Sequence, residues 1–368
     1  LKVNWNSDHS SVFEYSWLRD NCKCEQCVEP SSGQKIFDRS VLSNSVPNTI
    51  KQYDESFHIE WKDGHETTLS SDFLKRNCNS NLSRKERAKN QQPLLWTKDT
   101  LHHIPSVNYE NVINNDSSVL EWLNNLQTEG ICMIKECGKD ENVVKSLANR
   151  IGPIRSTTYG DTWRVETVPK AENIAYTSVK LGLHTDILYY ETCPGIQFLH
   201  CITQAKEGAE NIFADAFKVA EDFRELYPSH FDILCKVKIT YLKEHSDTYR
   251  KYRRPLFIVD EDNELVSVNF SPQFEGPLET LPENVKPFYE AYVNWHKFLS
   301  NPKYIIEHKL EEGDTVVFNN RRILHGRNGF SQQERRLLMG TYVDLDDVAN
   351  RIAVLQRNMN IPRLIKKL

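Results

Sequence analysis

A mainly β fold, with a sandwich or barrel core and flanking helices, is what this sequence of 368 residues predicts. Three observations predict it. From residue 173 onward the apolar residues fall in short β-branched and aromatic runs bounded by Gly, Pro, Asn and Asp, the pattern of strands and turns. These runs do not alternate regularly with helical segments, which argues against a doubly wound parallel sheet. The chain also carries no G-x-G-x-x-G, P-loop, G-x-S-x-G or H-E-x-x-H signature.

Taken in order, residues 1–75 read as strand-rich and irregular: SVFEYSWLRDNC, then FHIEWKDGHETTL, which alternates like a hairpin. Residues 76–97 are polar, basic and poor in apolar side chains, as in a linker that is partly helical. We therefore expect an N-terminal domain over 1–85, a linker over 86–97 and a larger domain over 98–368. SSVLEWLNNLQTEG predicts a capped helix that stops at Gly130, ICMIKE a buried strand, and ENVVKSLANRIG a helix ended by Gly152. Strands are then expected at NIAYTSV, GIQFLHCI, NIFADAF, KVKITYL, PLFIVDEDNELVSVNF, YIIEHKL, DTVVFNNRRILH and RLLMGTYVDL. Helices are expected at about 216–228 and 284–300, and at the closing DLDDVANRIAVLQRNM.

Composition narrows the function classes. A net charge of −5 gives no electrostatic case for nucleic acid or an anionic membrane as partner. No run approaches eighteen apolar residues, so no membrane span is expected. The nine cysteines are odd in number and spread through the chain, which suggests a reducing compartment such as the cytoplasm and no disulfide scaffold.

Three cysteines are crowded: Cys22, Cys24 and Cys27 in CKCEQC. Three thiolates on one loop can take three corners of a tetrahedral zinc site. His65, in the turn of WKDGHETT, is the best candidate for the fourth corner, with Cys78 the runner-up. A closed Cys3His site has no open position, so this zinc is expected to be structural and to staple a domain with little core of its own.

A second group lies in the larger domain. His184 and Asp186, in LGLHTDILYY, stand two positions apart, which on a strand puts both side chains on one face. A late strand delivers His325, followed by Gly326. Two His and one carboxylate make a facial triad with three open coordination positions, the arrangement of non-haem Fe(II) oxygenases; zinc with an activated water is the alternative. Arg336 follows on the next strand, its guanidinium fork suited to a carboxylate, with Arg335 facing the other way. Tyr159 and Trp163, in the polar segment YGDTW, add aromatic faces of the kind that hold a quaternary ammonium.

In that order these residues resemble the Fe(II)- and 2-oxoglutarate-dependent dioxygenases built on a double-stranded β-helix, or jelly-roll. The likeness is nearest to the branch that hydroxylates trimethylammonium substrates in carnitine synthesis, and it extends over WLRDNCKCEQC, WKDGH, YGDTW, NIAYT, HTD, GIQFLHC, FNNRRILHGR and GTYVDLDDV. The resemblance implies iron held by His184, Asp186 and His325, and O2 as oxidant. It implies 2-oxoglutarate bound by Arg336, with Leu199 and Asn269 lining its pocket. It further implies a trimethylammonium cage of Tyr159, Trp163, Tyr176 and Tyr342, with Asn173 as a polar pocket residue, and it agrees with His65 on zinc. The T-W pair of YGDTW, Asn173 before AYT and the complete cysteine cluster favour γ-butyrobetaine hydroxylation to L-carnitine. ILYYETCPG, with Ile187 where that branch often has Tyr, points partly to N6-trimethyllysine, in which case a mitochondrial location is expected. The apolar stripe of PENVKPFYEAYVNWHKFL is expected to pack internally, with a homodimer face as the second reading.

Overall fold

The computed structural model describes residues 1–6, 9–168, 173–245 and 247–361, and for 88–91 the helical backbone alone. It divides into two compact units, Leu1–Gln91 and Gln92–Leu368.

The first unit is built on an antiparallel sheet of Pro47–Tyr53, Ser56–Trp61 and Glu66–Ser70. Strict alternation puts Phe57, Ile59 and Trp61 of the middle strand on the buried face. They pack with Leu18 of the helix Tyr15–Asp20 and Leu74 of the helix Ser71–Arg76. Much of SVFEYSWLRDNC is thus helix, where strand was expected. The polar stretch read as a linker contains an 11-residue helix, Asn81–Gln91.

The second unit has two large sheets and two hairpins, Lys238–His245 with Thr248–Pro255 and Phe257–Val259 with Leu265–Val268. Its core strands are β1 (Ser106–Asn108), β2 (Ile131–Lys135), β3 (Thr162–Glu166), β4 (Leu181–His184), β5 (Ile196–Thr203), β6 (Asn211–Asp215), β7 (Ile306–His308), β8 (Thr315–Asn319), β9 (Ile323–Arg327) and β10 (Leu337–Val343). A six-stranded sheet runs β1-β2-β8-β5-β10-β3 and a four-stranded sheet β7-β6-β9-β4. From β4 to β6, and again from β7 to β10, each successive strand lies in the other sheet. That interleaving is the jelly-roll. It explains why β5, β8 and β10 read as largely apolar runs without alternation, and why even His325 and Arg327 of β9 are buried: both faces are covered. On β5, Ile196 and Phe198 face the helices Asp116–Thr128, Val143–Asn149 and Leu345–Asn358, while Leu199 and Cys201 face the interior between the sheets.

Three expectations change. NIAYTSV is a 3-10 turn with flanking loops, because Asn173 caps the turn through Ala175 N and the Arg327 guanidinium takes the carbonyls of Ala175, Thr177 and Val179. A side chain there supplies the hydrogen bonds a neighbouring strand would have given. YGDTW runs into a strand instead of standing in a loop: Trp163 lies on β3, at the edge of the large sheet. The helix expected at 216–228 is two, Ala216–Leu226 and Pro228–Lys236, with Pro228 opening the second.

Candidate active site

β4 and β9 are antiparallel neighbours, and His184 lies directly opposite His325, with ring centroids 4.3 Å apart. A Cβ at Gly326 would sit 2.5 Å from Leu181 O and 2.9 Å from Gly182 O, so only glycine lets the two strands approach this closely. Thr185 turns the other way and donates its backbone N–H to Phe270 O. Asp186 therefore returns to the histidine side. Its peptide is gripped by one amide: Asp186 N–H donates to Asn320 Oδ1 (2.8 Å) and Asn320 Nδ2 donates to Asp186 O (3.1 Å). The next residue, Ile187, has φ +61°, a conformation β-branched residues rarely adopt.

Asp186 Oδ1 lies 3.2 Å from His184 Nε2, and Oδ2 lies 3.7 Å from His325 Nε2. One ligand atom from each residue fits within 4.8 Å of the others. The hydrogen bond between His184 Nδ1 and Gly182 O (2.9 Å) puts the proton on Nδ1 and turns the Nε2 lone pair inward, as metal-binding imidazoles require. Burial alone would raise the Asp186 carboxyl, but His325 and His184 hold it well below the usual carboxylate range. Burial, then the neighbouring His184, keeps His325 below the ordinary imidazole value. An ionised carboxylate and neutral imidazoles are the protonation states in which this donor set takes a divalent metal, so the residues fit the iron the sequence implies.

The three line one cavity. On one side lies Arg336, buried at 4% exposure. Its Nη2 donates to Asn211 Oδ1 at 3.4 Å, its Nε has no partner, and among the described residues no carboxylate pairs with it. Burial, and then the charge of Arg327, pull it down to about 9. An unpaired buried guanidinium is costly, so this end of the cavity calls for an anion. Leu199, Val165 and Leu338 wall it with apolar surface. Arg327 also reaches the cavity, but its terminal nitrogens are spent on the 175–179 loop.

Tyr159, Trp163, Tyr176, Asn173 and Tyr342 all line the same cavity. Tyr159 shares a hydrogen bond of 3.1 Å with Tyr189 OH and accepts one from Asn173 Nδ2 (3.3 Å). Tyr342 departs from expectation. It stacks on Trp163 with centroids 4.3 Å apart, and its hydroxyl donates to Asp186 Oδ2 (2.7 Å). No group fits between rings that close, so they form one wall and not two opposed cage faces. A Cβ at Gly340, opposite Trp163 across the strands, would fall 2.4 Å from the indole; that glycine seats the ring. Asn269 is a correction. It is buried away from the cavity, its Nδ2 donating to Pro255 O and its carbonyl accepting from Tyr241 OH. Its donors are consumed holding the hairpin beside it.

Sequence reasoning missed Gln197, Tyr189 and Phe274, which also line the cavity. Gln197 had a signal: with His200, it is one of two polar residues inside the otherwise apolar run GIQFLHC. Phe274 had none, since it arrives on a 3-10 turn distant in sequence.

In the first unit Cys22, Cys24, Cys27 and His65 converge. His65 Nε2 lies 3.3, 3.6 and 3.5 Å from the three sulfurs in that order. Buried Arg19 donates to Cys27 Sγ at 3.3 Å. Burial, with the Arg19 charge, lowers His65 and keeps it a neutral donor. This closed set of four fits zinc. Cys78 stands apart, bonded to Ser11 and Ser80. The described residues contain no helix long and apolar enough to cross a membrane.

A jelly-roll whose two sheets enclose a two-histidine, one-carboxylate group beside a buried arginine defines a 2-oxoglutarate-dependent dioxygenase. The chain belongs to the taurine catabolism dioxygenase TauD, TfdA family, whose profile matches residues 91–342, and a gamma-butyrobetaine hydroxylase-like N-terminal profile matches 1–52 and 48–128. It is 30% identical to dioxygenase str8 of Strobilurus tenacellus, over 92% of this chain and 84% of that one. It is 28% identical to gamma-butyrobetaine dioxygenase of Homo sapiens, over 98% and 95%, and 28% identical to mitochondrial trimethyllysine dioxygenase of Gallus gallus, over 92% and 82%. Among solved structures, a taurine dioxygenase from Burkholderia xenovorans shares the fold at a TM-score of 0.51 and 16% identity, over 68% of this chain and 89% of that one. The family's chemistry uses Fe(II), 2-oxoglutarate and O2.

Proposed function

We propose that the chain hydroxylates a trimethylammonium carboxylate, γ-butyrobetaine to L-carnitine, with iron held by His184, Asp186 and His325. The observation that carries this reading is the aromatic end of the cavity, Tyr159, Trp163 and Tyr176, facing the same space as the histidines, with the Lys243 ammonium already 3.9 Å from the Tyr159 ring centroid. Aromatic faces attract a quaternary ammonium by about 0.5–2 kcal/mol each without needing a hydrogen bond from it. When bound, iron supplies the oxidation: 2-oxoglutarate is decarboxylated to succinate, one oxygen atom of O2 entering succinate and the other a substrate C–H bond. Arg336 binds the distal carboxylate of 2-oxoglutarate, and Leu199 keeps water from that pocket. Asn173, whose amide accepts from Ala175 N and donates to Tyr159 OH, holds that tyrosine at the substrate end of the cavity. Cys22, Cys24, Cys27 and His65 hold a structural zinc.

N6-trimethyllysine is the second reading, favoured by the stretch ILYYETCPG, whose Ile187 lines the cavity beside Asp186. Nearly equal identities to relatives of both names support the shared class of substrate. We place the activity in a reducing compartment, the cytoplasm for the first substrate. The test is succinate formation by iron-loaded protein with each compound. Turnover with γ-butyrobetaine and little with trimethyllysine supports the first reading, the reverse preference supports the second, and turnover with neither removes both.

A further inference from the structure

We infer that Gln197 and Tyr342 are positioning residues that hold one oxygen of Asp186, so that the carboxylate offers only the other to the metal. Asp186 Oδ2 accepts from Gln197 Nε2 (2.8 Å) and from Tyr342 OH (2.7 Å). Oδ1, 3.2 Å from His184 Nε2, has neither donor. Gln197 and Tyr342 are directly opposite on β5 and β10 of the large sheet, each 2% exposed, whereas Asp186 follows β4 of the small one. The two sheets thus meet at this carboxylate. Neither donor has a competing use: Gln197 Nε2 and the Tyr342 hydroxyl each bond to Asp186 Oδ2 alone among the described residues. Asn320 fixes the peptide of the same residue.

The consequence concerns the open coordination positions. A facial triad leaves three, two for a chelating keto acid and one for O2. A carboxylate free to rotate can chelate through both oxygens and fill one of them. Two hydrogen bonds on Oδ2 oppose that rotation, and with two donors from rigid strands they also fix where Oδ1 points. Such outer partners of a ligand are worth about 10–100-fold in metal affinity. This gives Tyr342 a task at the metal ligand in place of a free cage face. The inference rests on the metal-site reading of His184, Asp186 and His325, and is independent of which substrate is hydroxylated.

The test is an anaerobic Fe(II) titration of the full-length chain with saturating 2-oxoglutarate, read from the charge-transfer absorption of the complex, with folding followed by circular dichroism. Tyr342→Phe keeps the ring stack and removes one donor; Gln197→Met keeps the length and removes the other. Each is expected to raise the Fe(II) dissociation constant about 10–100-fold and to move the absorption maximum, which a loss of packing alone would not. Asp186→Ala is expected to abolish the band. A lost band in Asp186→Ala, with both other variants folded, within about twofold of the parent in affinity and unmoved in maximum, overturns the positioning role while the metal site stands. A band that survives Asp186→Ala overturns the metal-site reading and this inference with it.

Discussion

The indole of Trp163 shows how one missing atom shapes this site. It leans over Gly340, where a methyl group would fall 2.4 Å from the ring, and stacks on Tyr342. Gly340→Ala must push the indole off its seat; overpacking of this kind costs about 1–3 kcal/mol. Leu199 lies directly opposite Gly340 and Gly340 directly opposite Trp163, so we expect kcat/KM for the trimethylammonium substrate to fall about tenfold, with a smaller rise in KM for 2-oxoglutarate. Steady-state kinetics with each substrate varied checks this, and an equal rise in both KM values would contradict it. At this scale the sequence was informative where chemistry demands a residue type. The histidines, the aspartate, the buried arginine and the cage aromatics all reach one cavity. It misled where a side chain serves its neighbours: nothing local shows that the Asn269 amide is spent on Pro255, or that the Tyr342 hydroxyl turns to Asp186.

Elements were legible to the degree that their pattern was local. The alternation of FHIEW gave the middle strand of the N-terminal sheet, and Gly130 and the helix it ends lie as expected. NIAYTSV failed because a distant arginine, and no strand, satisfies its carbonyls. The N-terminal sheet has a small core, Phe57, Ile59, Trp61 and their neighbours, and the Cys3His group ties its 61–66 turn to the loop after the helix Tyr15–Asp20. Small cores depend on such staples. Cys24→Ser is therefore expected to lower bound zinc well below one per chain and to cost this unit about 3 kcal/mol or more. Elemental analysis with denaturation followed by limited proteolysis of residues 1–91 measures both. Zinc content equal to that of the parent would remove Cys24 from the ligand set.

At the scale of the molecule, the interleaving of two sheets was not readable from the strands in sequence, because a strand's sheet is decided by long-range pairing. What was readable is that β5, β8 and β10 have no continuous polar face, which demands cover on both sides. That cover buries histidines as well as apolar residues. His200 of β5 is fully buried with Nε2 unpartnered; half-buried His308, on the edge strand β7, also has Nε2 unpartnered, and half-buried His296, on the helix Pro282–Leu299, packs edge-on against Phe270 and Tyr292. Burial holds all three below the ordinary imidazole value of 6.5. In the unfolded chain they take up protons near that value, and in the folded chain only at lower pH, so the unfolded state binds more protons as acidity rises. Their contribution is neutral above pH 6.5 and turns against folding as pH falls below it. Carboxylates with lowered values add their own loss only below about pH 4. The urea midpoint of the second unit, followed by tryptophan fluorescence, is therefore expected to drop between about pH 7.5 and pH 5.5, each histidine that stays neutral in the fold costing at most about 1.4 kcal/mol for every pH step of one below its unfolded value. A midpoint that holds steady across that window would mean these imidazoles are protonated in the folded protein, and the close cover inferred for the core would be wrong at those positions.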